Sequence, residues 1–81
     1  MYTIGEFAAL GRVSVRMLRH YDSIGLLPPT STGANGYRYY DEAALTRLQR
    51  ILMLRDLGLG LPAIAEVLAG QTDDARALVT H

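Results

Sequence analysis

The stretch Asn35–Leu45, NGYRYYDEAAL, decides what kind of fold this chain can adopt. Asn-Gly between extended segments is a strong short hairpin signal, because both residues tolerate the left-handed backbone that a tight turn needs. Tyr37, Arg38, Tyr39 and Tyr40 then read as a strand, and Asp41 as the N-cap of a helix starting at Glu42. Three of the six aromatic residues of the 81-residue chain fall in this one stretch. Strand alternation sets Arg38 opposite Tyr37 and Tyr39, and Tyr40 with Leu45 has the spacing of a hydrophobic staple across the Asp41 cap. The hairpin therefore has two polar-tipped faces and runs directly into a helix.

Upstream, LLPPTST, residues 26–32, contains two prolines and excludes helix, which places the first strand near residues 27–30 and the second near 37–40. Further back, Thr3-Ile4-Gly5-Glu6 has the form of a capping box, predicting a short helix over about residues 4–10 that Gly11 breaks. Ser14 caps a second helix, and Gly25 stands just past its end, where a left-handed residue is wanted. Downstream, a longer helix is expected over about residues 42–57, ended by Gly58. Gly60 and Pro62 open a fourth, with Ile64, Val67 and Leu68 as its apolar stripe and Gly70 as its close. Thr72, Asp73 and Asp74 look like the start of a fifth helix. Two short helices joined by a tight turn, then a hairpin, then helices: the class is mainly α, a winged helix-turn-helix. The helix-turn-helix spans about residues 4–24 and the wing about 27–40.

Composition narrows the chemistry. There is no cysteine, so disulfides, thiolate metal sites and cysteine nucleophiles are excluded. Nothing resembles a signal peptide or an apolar run of membrane-spanning length, so a soluble, cytoplasmic chain with no membrane partner is expected. Net charge is zero but unevenly spread: residues 1–55 carry seven arginines against four acids, and the remainder one arginine against four acids. All fixed cations are arginine, whose planar fork suits phosphates and base edges; a GC-rich genome would produce the same preference.

At ~100° per residue, the second helix sets Val15, Met17, Leu18, Tyr21 and Ile24 on one side and Arg16, Arg19, His20 and Ser23 on the other. The polar arc holds no acid, since Asp22 lies nearer the apolar edge. Solvated helix faces normally mix signs to gain i,i+4 pairs. An acid-free face on the second helix of a helix-turn-helix is instead suited to the major groove of DNA. His20 lacks a second ligand at metal spacing and fits a phosphate donor at most. In the long helix, Ala44, Leu45, Leu48, Ile51 and Leu52 form a core stripe, while Met53, Leu54 and Leu57 fall off it and offer a patch for the fourth helix or a partner chain. No catalytic set emerges, and no cofactor is expected: Lys is absent, Ser14 has no base partner, and no glycine-rich phosphate loop is present.

Over roughly residues 2–70 the chain resembles the MerR family of bacterial transcription regulators. The resemblance rests on YTIGEFA, VSVRMLRHYDSIGLLPP, GYRYYDEAAL and LRDLGLGLPAIAEVL, in that order. The form RHYDSIGLL is similar to the branch with drug- or antibiotic-sensing relatives. The resemblance implies a DNA-binding domain over residues 1–70, with helix two in the major groove and the wing on the flanking backbone of double-stranded promoter DNA. It implies Arg16 as the base-edge reader and Arg19 and Tyr21 as phosphate contacts. On the wing it suggests Arg38 on a phosphate, one of Tyr37 and Tyr39 donating to the backbone and the other bracing the wing against helix two. His20 stands where tyrosine is frequent, Met17 where threonine is common, and Gly60 where serine often caps. Ser14 completes the expected DNA-facing set. The family also implies a homodimer in the full-length protein, distortion of promoter DNA to the benefit of RNA polymerase, and a location at the bacterial nucleoid. Residues 71–81 would begin its dimerisation helix. Two other readings stay open: a standalone, excisionase-like architectural DNA-binding protein, and a protein-interaction module that keeps the winged fold. An enzyme is the least expected.

Overall fold

The computed structural model describes residues 1–80, with side chains as far as Gly70; His81 lies outside the described residues. Its elements are β1 (Tyr2–Thr3), α1 (Ile4–Gly11), α2 (Val15–Ser23), β2 (Ser31–Thr32), β3 (Arg38–Tyr40), α3 (Glu42–Asp56) and α4 (Leu61–Thr80). They fall into two compact units, residues 1–50 and the segment from Ile51 onward, so that the division lies inside α3.

The helix boundaries follow local chemistry. At α1, both halves of the capping box form: Thr3 Oγ1 accepts from Glu6 N at 3.2 Å, and Glu6 Oε1 accepts from Thr3 N at 2.9 Å. Ser14 Oγ accepts from Met17 N at 3.0 Å to start α2. Asp41 Oδ1 accepts from Ala44 N at 2.8 Å to start α3. Gly25 (φ +75°) ends α2, with Gly25 N donating to Asp22 O and Leu26 N to Tyr21 O, the paired bonds of a Schellman motif. Gly58 (φ +97°) ends α3 in the same way, through Gly58 N to Arg55 O and Leu59 N to Leu54 O.

Helix α1 departs from expectation. Its left-handed residue is Arg12 (φ 56°), and Gly11 remains the last helical residue. Space explains why position 11 is glycine: a Cβ there would lie 2.4 Å from Leu48 Cδ2. The other correction among the helices is α4, which continues through Gly70 to Thr80 instead of closing and restarting. One glycine inside a helix costs only about 1 kcal/mol, and the residues on either side are mostly good or neutral helix formers.

The sheet is three-stranded and antiparallel in the order β1-β3-β2, with Tyr2 opposite Tyr40, Thr3 opposite Tyr39, and Thr32 opposite Arg38. The first wing strand sits at Ser31–Thr32 and not at residues 27–30, because Pro28 and Pro29 have no N–H to give a ladder. The turn is longer than Asn35-Gly36 alone. Gly36 N donates to Gly33 O at 2.9 Å and Gly33 N to Tyr37 O at 2.8 Å, so the reversal occupies residues 33–36. Gly36 supplies the left-handed position (φ +83°), and Asn35 Oδ1 accepts from Tyr37 N.

In the first unit, Phe7, Leu18, Tyr21, Leu26, Leu27, Tyr40 and Leu48 are buried, and α1 packs against both α2 and β3. Tyr40 is core as expected, but its main aromatic partner is Phe7, stacked at 4.3 Å between centroids and 12° between planes. In the second unit, Ile51, Ile64 and Leu68 are buried. Gly60 O accepts from Ile64 N at 3.0 Å, as its capping position before α4 requires.

Candidate nucleic-acid interface

Helix α2 presents Arg16, Arg19, His20 and Ser23 to solvent, while Leu18 and Tyr21 are buried on its other side. The face is set by the amphipathic period, and its start by the Ser14 cap. Ser14 is exposed, but its hydroxyl is already engaged with Met17 N. Arg19 also lines a groove of about 260 Å³ with Gly36, Tyr37 and Arg38 of the wing and Thr3 and Ile4 at the start of α1. The exposed face of α2 and the tip of the wing therefore border one recess. Exposed guanidinium groups beside an exposed strand tip can engage a polyanion along its backbone while the helix face meets base edges.

The three wing residues are not equivalent. Tyr37 is 64% exposed at the tip, whereas Tyr39 and Arg38 are half-buried. Arg38 Nε donates to Asp22 Oδ2 at 2.9 Å, tying β3 to the last full turn of α2. An arginine thus braces the wing against α2. A guanidinium carries five N–H donors, so a bond through Nε leaves donors for a second ligand. Tyr39 is held through its backbone, pairing with Thr3 and Ser31 and accepting from Thr30 N.

Tyr21 departs further from the DNA-facing set. It is 2% exposed, and its carbonyl accepts from both Leu26 N and Leu27 N, so its place is in the core and at the end of α2. Its position on the apolar side of the helical wheel already signalled this.

Three supporting residues carry shifted pKa values. The backbone N–H of Thr3, then its hydroxyl, hold the Glu6 carboxyl below the usual glutamate range. The Tyr2 hydroxyl donates to the Glu42 carboxylate, and that bond holds its pKa above the ordinary tyrosine value. Burial raises the Tyr40 hydroxyl, with the Asp22 carboxylate adding to the shift and Arg38 opposing it. Among the described residues there is no cluster of three or more His, Cys, Asp or Glu able to hold a metal ion. No helix among them is long and apolar enough to cross a membrane.

Two supporting residues escaped the sequence reading. Arg47 Nε donates to Leu26 O at 2.9 Å and pins the loop that leaves α2. Asp22 is the other; the available signal was its oddity as the single acid of a basic helix. At the end of α3, Met53 and, just past the last helical residue, Leu57 are 54% and 72% exposed, while Leu54 is half-buried.

Residues 2–71 match the family described as MerR HTH family regulatory protein. The chain belongs to the MerR family. It is 54% identical over 68 residues to the HTH-type transcriptional regulator SkgA of Caulobacter vibrioides, which covers 84% of this chain and 27% of SkgA. The chain thus spans less than a third of that relative. The N-terminal structure of MtaN, the Bacillus subtilis multidrug transporter activator, superposes with a TM-score of 0.80 at 35% identity, covering 99% of this chain and 83% of MtaN. A cryo-EM structure of an EcmrR–DNA complex matches with a TM-score of 0.84 at 29% identity, over 98% of this chain and 32% of EcmrR.

Proposed function

We propose that this chain is the sequence-specific DNA-binding domain of a MerR-type transcriptional regulator. Helix α2 enters the major groove, with Arg16 reading base edges and Arg19 and His20 at phosphates. The wing follows the flanking backbone through Tyr37 and the free donors of Arg38. The observation that carries this reading is the acid-free, solvent-facing surface of α2, whose Arg19 shares a groove with the wing tip. The likeness to the DNA-bound EcmrR supports it.

In the longer protein, residues 1–70 act as the DNA-binding domain, the part of α4 beyond Gly70 leads without a break towards the dimerisation segment, and the homodimer bends promoter DNA so that RNA polymerase can use it. Met53 and Leu57, exposed at and just past the end of α3, form part of the surface that meets a partner chain. The protein works in the cytoplasm, at the nucleoid. Footprinting of the DNA upstream of its own gene tests the reading. Protection between two promoter elements is the expected result. Failure to protect or retard any duplex, beside a stable complex with another protein, would favour an interaction module instead.

A further inference from the structure

Asp22 is at first sight misplaced. It adds a negative charge to the helix that faces a polyanion, on the reading proposed above, and no helical cap or i,i+4 partner explains it. Its carboxylate instead accepts Arg38 Nε at 2.9 Å across sixteen residues of sequence, with the side chains 25% and 35% exposed. A charge-assisted bond in this partly shielded setting is stronger than a fully exposed surface pair. Its two ends lie on the two elements that would touch DNA. Strand β3 is otherwise secured to β1 and β2 by backbone pairing and to α1 by packing, with Tyr40 stacked on Phe7. The Asp22–Arg38 bond ties it directly to α2.

We infer that Asp22 is a positioning residue for DNA binding: through Arg38 it fixes the wing against helix α2, so that its negative charge raises affinity. This inference rests on the DNA-binding reading. Two effects of opposite sign compete when the charge is removed. Coulomb repulsion between one carboxylate and phosphates about 10 Å away is largely screened at ~0.1 M salt, so its loss alone would tighten binding by less than about twofold. Against that, Arg38 would have to be ordered on each binding event. Immobilising one such long side chain corresponds to roughly a three- to tenfold loss of affinity. The positioning effect outweighs the repulsion, and the sign of the change separates them.

The test uses the whole chain and a duplex carrying the footprinted site. Dissociation constants are measured across a salt series, well below the melting temperature of each variant. Asp22→Asn should bind roughly three- to tenfold more weakly, with an unchanged salt slope because no phosphate contact is lost. Asp22→Glu should recover most of that loss. In an Arg38→Ala background, Asp22→Asn should cause no further weakening. Should Asp22→Asn fail to fold, Arg38→Lys carries the test: it keeps the charge but not the Nε donor, and should lose affinity by a similar factor with the slope retained. Equal or tighter binding by Asp22→Asn, or the same loss with and without Arg38, would overturn the inference while leaving DNA binding intact. A wild-type chain that binds no duplex would remove the DNA reading, and this inference with it.

Discussion

Gly11→Ala tests the packing that holds the helix-turn-helix together. The backbone at residue 11 is helical, and its φ is not positive, so alanine fits the local conformation. Considered by itself, the change should stabilise: alanine is favoured over glycine in a helix by about 1 kcal/mol. The surroundings reverse the sign. The added methyl would sit 2.4 Å from Leu48 Cδ2, at least 1 Å inside ordinary contact, and Leu48 is fully buried. Relief requires Leu48 to leave its rotamer or α1 to move off α3, and overpacking of this kind costs about 1–3 kcal/mol. The two effects together leave a net destabilisation of roughly 0–2 kcal/mol. The assay is urea denaturation of the wild type, Gly11→Ala, Leu48→Ala and the double variant. The double variant should be more stable than additivity predicts, because the new methyl occupies space that Leu48 has vacated. A Gly11→Ala protein about 1 kcal/mol more stable than wild type, with no coupling to position 48, would refute the steric argument.

Other outcomes follow from the caps and the wing. Since Thr3 depresses the Glu6 pKa, the bond contributes stability above the ordinary glutamate range that disappears as pH falls through the folded value. Wild type should therefore lose more stability than Glu6→Gln when denaturation is followed from neutral to acid pH; parallel pH profiles would count against the capping account. Arg38→Ala should weaken binding to all sequences and flatten the salt dependence by about one unit, read by titration at several salt concentrations. An unchanged slope would leave Arg38 as a brace alone.

The helix ends were legible because they depend on neighbours in sequence. Thr3 with Glu6, Ser14, Asp41, Gly25 and Gly58 each perform the local task that their type and position imply. The basic face of α2 was legible for the same reason, through its 3.6-residue period. What remained hidden is set by distant partners. A two-residue strand such as Tyr2–Thr3 has no periodicity to read, and it exists because β3 offers it a ladder. The preference of Gly11 for a bare backbone depends on Leu48, thirty-seven positions away. Arg38 reads as a free cation until Asp22 is brought beside it. Tyr21 shows the converse: the helical wheel alone placed it in the core, and family resemblance pulled it towards DNA.

Sequence reading by α2 through Arg16 is measured by the ratio of affinities for the footprinted site and for a scrambled duplex. Arg16→Ala should lose about 1–3 kcal/mol on the specific site and much less on the scrambled one, so that the ratio collapses. An equal loss on both duplexes would make Arg16 a phosphate contact and contradict the assignment of base reading to this helix.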